Sequence, residues 1–140
     1  MEFYESTSTI AATPAEVWAV LADSASWSTW DSGVESVSAP IAPGAKLSVV
    51  SKVVPGRAFP VKVTAFDAPN RFVFTGGMPL GLFKGERTYS LTADGKNTIF
   101  RMREEYTGPM LGAIFKSIPD LAPSFEQFAN GLKKRVETGA

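Results

Sequence analysis

Ile10-Ala11-Ala12-Thr13-Pro14-Ala15-Glu16-Val17-Trp18 is the stretch that decides the fold. Ahead of it, Phe3 to Ile10 reads as a strand, rich in threonine and aromatic residues and stopped by Pro14. Thr13 is a good helix N-cap, Pro14 suits the first helical position, and Glu16 completes a capping box. Val17, Val20 and Leu21, with Trp18 beside them, give a short helix its apolar face. Asp23 and Ser24 are placed to cap a second short helix that carries Trp27 and Trp30 on one side. All three tryptophans fall between Ile10 and Asp31.

Working outward, a Pro/Gly-marked region from Ala39 to Gly44 precedes strands with clear turn signals. Ala45–Val54 ends at Pro55-Gly56, Arg57–Phe66 at Asp67-Ala68-Pro69-Asn70, and Arg71–Thr75 at Gly76-Gly77. Phe83–Thr92 ends at Asp94-Gly95, and Asn97–Thr107 at Gly108-Pro109. Short connections imply antiparallel pairing. The rest is helical: Leu111, Ile114, Phe115, Ile118, Ala122, Phe125, Phe128, Leu132 and Val136 recur at three- and four-residue steps. Pro119 and Pro123 interrupt the pattern, and Asp120 can cap a restart, so a kinked helix or two helices in series is expected. The order is one strand, two short helices, six strands and a long C-terminal helix. It predicts an α+β domain spanning 1–140, with a curved seven-stranded antiparallel sheet wrapped around that helix.

Composition narrows the chemistry. Fourteen basic residues balance fourteen acidic ones, so no global field steers the chain to nucleic acid or anionic lipid. There is no cysteine, hence no disulfide, thiolate nucleophile or zinc–thiolate site. There is no histidine, which removes the commonest general base and metal ligand. No Asp/Glu cluster has calcium-loop spacing, and no cofactor is expected. The acidic start Met1-Glu2-Phe3-Tyr4-Glu5 is unlike a signal peptide, and no apolar run reaches the ~18 residues of a membrane span. A cytoplasmic protein without membrane insertion is the expectation, and the oligomeric state is not encoded in any pattern.

With these residues in this order, the chain resembles the START-like superfamily, also called the polyketide cyclase/dehydrase and lipid-transport superfamily, with its helix-grip fold. The resemblance rests on Ile10–Trp18, Trp27 and Trp30, Pro43-Gly44, Phe83-Lys84-Gly85, Glu104-Glu105-Tyr106-Thr107-Gly108 and the C-terminal helix, and it covers essentially the whole chain. It implies a cavity between sheet and helix. It does not select among carriers, cyclases, dehydrases, receptors and chaperone activators. Where many relatives carry a histidine, after the Gly85 position or on the partner strand, this chain has Arg87 and Met102.

Alternation assigns faces. Arg87, Tyr89 and Leu91 share one side of their strand, and Phe100, Met102, Glu104 and Tyr106 share the apolar side of the next. With Asp94-Gly95-Lys96-Asn97 as the loop, Leu91 pairs with Phe100, Tyr89 with Met102 and Arg87 with Glu104. Arg87–Glu104 has two readings. It is an ion pair bracing the interior, or Arg87 binds a carboxylate, phenolate or enolate of a ligand while Glu104 orients it. Other inward candidates are Leu47, Val49, Phe59, Val61, Val63, Phe72 and Phe74, faced by Phe115, Ile118 and Phe125. They line a ligand cavity or interdigitate into solid core. Buried Tyr89 and Tyr106 need hydroxyl partners, and Trp30 is the tryptophan best placed near a cavity mouth. The apolar, glycine-rich loop Gly76–Leu82 reads as a lid or packed rim.

The leading functional expectation is binding, with possible transport, of a small hydrophobic or aromatic molecule. The alternative is a cyclase or dehydrase working through Glu104, Tyr89, Tyr106 and Arg87 rather than histidine. An arginine opposite a carboxylate favours its ionised form, a weak base, which tips the balance toward a container. A chaperone-activator-like interaction module is the third reading, and no charged stripe supports it.

Overall fold

Thr13 opens the first helix through a reciprocal cap. Its hydroxyl accepts from the Glu16 N–H at 3.3 Å, and Glu16 Oε1 accepts from the Thr13 N–H at 3.2 Å. This is seen in a computed structural model that describes residues 1–140. Strand β1 (Glu2–Ile10) precedes the cap and helix α1 (Pro14–Leu21) follows it. The second short helix is a 3₁₀ helix at Ser24–Thr29, and its capping differs from expectation. The Asp23 side chain makes no cap hydrogen bond, and Ser24 Oγ donates instead to the Ala39 carbonyl at 3.2 Å. Ser26 Oγ holds the turn by donating to the Asp23 carbonyl at 2.8 Å. Trp30 lies just past this helix in extended backbone, so it and Trp27 do not share a helical face. Both nevertheless pack on Phe128.

The strands are β2 (Val34–Val37), β3 (Lys46–Ser51), β4 (Ala58–Asp67), β5 (Arg71–Gly77), β6 (Lys84–Asp94) and β7 (Asn97–Thr107). They form one antiparallel sheet in the order β1-β7-β6-β5-β4-β3-β2. β2 completes the expected count but has no bounds in the sequence pattern, because four residues carry too little alternation to read. β3 stops at Ser51, short of Val54, since the chain turns there with Val54 N–H donating to the Ser51 carbonyl. The β4–β5 ladder stops at Lys62–Thr75, two positions from Pro60, which has no N–H to donate.

After the sheet come α2 (Leu111–Ser117) and α3 (Ala122–Thr138). Two helices in series result because Ile118, before Pro119, is held in extended backbone. Asp120 Oδ1 then accepts from the Ala122 N–H at 3.0 Å, and Pro123 sits in the first turn of α3.

Phe128 of α3 is the centre of the core. It makes ring contacts with Trp27 (5.0 Å), Trp30 (5.2 Å), Tyr89 (5.7 Å) and Phe100 (5.9 Å). Trp27 completes its polar requirement by donating from Nε1 to the Leu21 carbonyl at 2.9 Å. The helix also touches β1, where Ser8 Oγ donates to the Ala129 carbonyl at 2.9 Å. Its tightest approach is at Gly131, beside the backbone of Asp31, whose side chain accepts from Gln127 Nε2 at 2.7 Å.

A methyl group at Gly131 would overlap the Asp31 carbonyl oxygen, so the helix would have to move. We expect Gly131→Ala to destabilise the protein by about 1–3 kcal/mol, despite the better helix propensity of alanine. The measurement is the urea midpoint at unchanged m value. A raised midpoint, as propensity alone demands, would show that α3 does not sit this close.

Candidate functional site

The β6–β7 ladder sets Leu91 opposite Phe100, Tyr89 opposite Met102 and Arg87 opposite Glu104, the register that hydrophobic alternation predicts. Extended over neighbouring strands, one inner row reads Phe74, Arg87, Glu104, Tyr4 across β5, β6, β7 and β1. The adjacent row reads Gly76, Gly85, Tyr106 and Glu2 across the same strands. Two neighbouring glycines therefore leave the sheet floor without side chains beside Arg87. Gly76 is required by crowding, since a Cβ there would meet the Pro60 carbonyl oxygen at 2.8 Å. Gly85 is not: its Cβ would stand 3.6 Å from the Glu104 carboxyl carbon and from the Tyr106 ring, an ordinary contact.

Arg87 Nε donates to Glu104 Oε1 at 3.1 Å, and the guanidinium carbon lies 4.7 Å from the centre of the Phe125 ring. This bond uses only the Nε of the guanidinium, and Tyr89 and Tyr106 lie near the rest of it. The side chains of Arg87 and Glu104 keep 26% and 16% of their exposure, so water reaches the pair. Burial opposes the Arg87 charge, but Glu104, with Tyr89 and Tyr106 nearby, outweighs it and raises the arginine pKa. Burial pushes the Tyr89 and Tyr106 phenols above the ordinary tyrosine range. Tyr106 is 3% exposed, and its hydroxyl has no hydrogen-bond partner; neither has Trp30 Nε1.

The predicted residues fall into two groups. Trp30, Phe74, Tyr89 and Met102 are packed into the solid core with Trp27, Phe72, Phe100 and Phe128. Leu47 and Val63 join them there, and Phe125 belongs to the core while also capping Arg87. Val49, Val61, Phe115 and Ile118 are only half-buried, and Phe59 is 39% exposed, with the Arg57 guanidinium over its ring. Phe115 packs against Tyr106 at 5.5 Å and against Tyr4 at 5.7 Å.

Tyr4 was missed by sequence reasoning. It alternates inward with Ser6, Ser8 and Ile10, but the two serines mask the apolar period. Gly76-Gly77 reads as a strand terminator, yet both residues belong to β5, which conceals the Gly76–Gly85 pair. The Gly76–Leu82 loop contains a 3₁₀ turn at Pro79–Gly81 with Leu80 97% exposed. The flanks of this loop are tied down by hydrogen bonds from Met78 N–H to the Phe83 carbonyl and from Met110 N–H to the Leu82 carbonyl. Two open recesses, of about 400 and 220 Å³, are present; the first is lined by Lys46, Lys62, Leu47, Val61 and Gly76 among others, the second by polar residues including Arg101 and Arg103, and Arg87 lines neither. No three His, Cys, Asp or Glu side chains are grouped to hold a metal, and no helix is long and apolar enough to cross a membrane.

The fold agrees with comparison to known proteins. The chain belongs to the family described as polyketide cyclase / dehydrase and lipid transport, matched over residues 1–137. Membership supports ligand binding at that coarse level. Among solved structures it is similar to DynU16, from the dynemicin biosynthetic locus, at 20% identity and a TM-score of 0.74. That alignment covers 99% of this chain and 48% of DynU16, so the chain spans about half of that protein. It is similar to a START superfamily protein from Mycobacterium smegmatis at 16% identity, TM-score 0.69, covering 99% of both chains. It is also similar to Aha1 from Colwellia psychrerythraea at 16% identity, TM-score 0.75, covering 99% of this chain and 98% of that one. At these identities the likeness is one of fold. No curated protein matches the sequence.

The buried phenols predict an alkaline limit. Raised folded-state values mean that the stabilisation is intact below the unfolded tyrosine value, about 10, and is lost as pH rises above it. Replacing Tyr89 and Tyr106 by phenylalanine should therefore move alkaline unfolding, followed by circular dichroism, to higher pH. An unmoved transition would mean that these hydroxyls ionise freely in the folded protein.

Proposed function

We propose that the protein binds a small hydrophobic or aromatic molecule between the inner face of the sheet and the C-terminal helices, its polar end toward Arg87 and Glu104. The observation that carries this reading is the bare Gly76–Gly85 floor next to a part-buried ion pair. Incompletely covered apolar side chains, Val49, Phe59, Val61, Phe115 and Ile118, supply the walls. Family membership in a group described by polyketide and lipid handling supports the same class of ligand. Carriage of the ligand needs no chemistry beyond this binding.

Binding is favoured over acid–base catalysis by the state of the polar groups. Arg87 stays charged, and Tyr89 and Tyr106 stay protonated, so none of the three exchanges a proton near neutrality. Glu104 is engaged by Arg87.

The test is titration with N-phenylnaphthylamine, a neutral probe that brightens in apolar surroundings. The wild type is expected to bind it, and Gly85→Leu, which fills the floor, to lose at least roughly tenfold in affinity while unfolding cooperatively. No binding by the wild type, or equal binding by the variant, would overturn the proposal.

A further inference from the structure

The ion pair restricts what the polar end of such a ligand can be. A lone arginine in an apolar site selects a carboxylate, because its planar fork matches two oxygens and supplies the opposing charge. Arg87 is not alone. Glu104 Oε1 lies 3.1 Å from its Nε and already neutralises it. Phe74, Tyr4, Gly76, Gly85, Tyr106 and Glu2, the other residues of the two inner rows, carry no positive charge. A carboxylate placed here would set two negative charges against one positive in a part-buried site, an arrangement that desolvation and like-charge repulsion both disfavour.

What the site does offer is uncommitted donors. The hydrogen bond to Glu104 uses only the Nε of Arg87, and none of its Nη groups. The Tyr106 hydroxyl is buried without a partner, a state that costs free energy until an acceptor arrives. Both charges of the pair act on that hydroxyl, so it lies in their neighbourhood. Gly85 places no side chain between the Tyr106 ring and the Glu104 carboxyl group, each 3.6 Å from where its Cβ would stand. An oxygen with two lone pairs and no charge suits two such donors.

Building on the binding reading above, we infer that the ligand presents a neutral carbonyl oxygen, of the ketone, quinone, lactone or ester class, to the Arg87 Nη groups and the Tyr106 hydroxyl, and that the site discriminates against free carboxylates. Arg87 acts as a hydrogen-bond donor rather than as a counter-ion, and Glu104 sets that selectivity.

The experiment is displacement of bound N-phenylnaphthylamine by three molecules of one ring system: acetonaphthone, ethylnaphthalene and naphthoate. In the wild type, acetonaphthone should compete about tenfold better than the other two, the worth of roughly one net hydrogen bond. The carbonyl stretch of bound acetonaphthone should move to lower frequency. Tyr106→Phe removes only the unpartnered hydroxyl; it should remain folded and lose most of the ketone preference and part of the spectral shift, with ethylnaphthalene unaffected. Glu104→Gln leaves the Arg87 charge uncompensated and should turn the preference toward naphthoate. Wild-type preference for naphthoate, equal competition by all three molecules, or an unchanged ketone preference in Tyr106→Phe would overturn the inference while the binding proposal stands. Failure of N-phenylnaphthylamine itself to bind would overturn both.

Discussion

The seating of α3 against the Trp27–Asp31 segment is the contact on which the interior depends. Gly131 brings the helix backbone onto the Asp31 carbonyl, and Phe128, one turn earlier, then reaches Trp27, Trp30, Tyr89 and Phe100 together. A side chain at 131 would lift the helix and loosen all four ring contacts, because packed interiors do not deform smoothly. Gln127 to Asp31 and Ser8 to the Ala129 carbonyl fix the helix in rotation and height. Farther along, Glu137 accepts from both Lys133 and the Ala11 N–H, holding the last turn to the end of β1.

With α3 seated there, the inner face has two unlike halves. One is filled by the aromatic cluster, with Phe72 stacked on Tyr89 at 4.5 Å. The other lies under α2, where Pro119 has broken the helical run and the sheet floor carries Gly76 and Gly85. Arg87 and Glu104 stand at the boundary. Phe125 covers the guanidinium from the filled side, while the pair keeps partial exposure on the other. A charge in the solid half would bear the full desolvation cost; at the boundary it has a counter-ion, an aromatic face and some water.

The family to which this chain belongs spans several activities, and a shared fold does not choose among them. The residues facing the interior are more informative. The positions where a histidine was to be looked for hold Arg87 and Met102, one permanently charged and the other buried in the core. Neither moves protons at neutral pH. The polar groups that remain hold charge and hydrogen-bond direction, which is the chemistry of recognition.

Much of this was legible in the residues alone. Thr13-Pro14-Ala15-Glu16 specifies a helix start because every group it needs lies within one turn. Asp94-Gly95-Lys96-Asn97, with the alternation on either side, determines that Arg87 faces Glu104, since a one-residue slip would turn every apolar side chain to water. Pro119 and Asp120 determine where the helical run breaks and restarts. In each case the cause is local or repeats along the strand. Depth was not legible. Tyr89 and Val61 both point inward, yet one is in solid core and the other half-open, and only the tertiary structure separates them. The same holds for the joining of Gly76 to Gly85, the arrival of Tyr4 and Phe115 beside Tyr106, and the placing of Phe125 over Arg87. The pleat assigns each residue a face. What covers that face comes from elements distant in the chain, and their packing decides whether an inward residue becomes core or site.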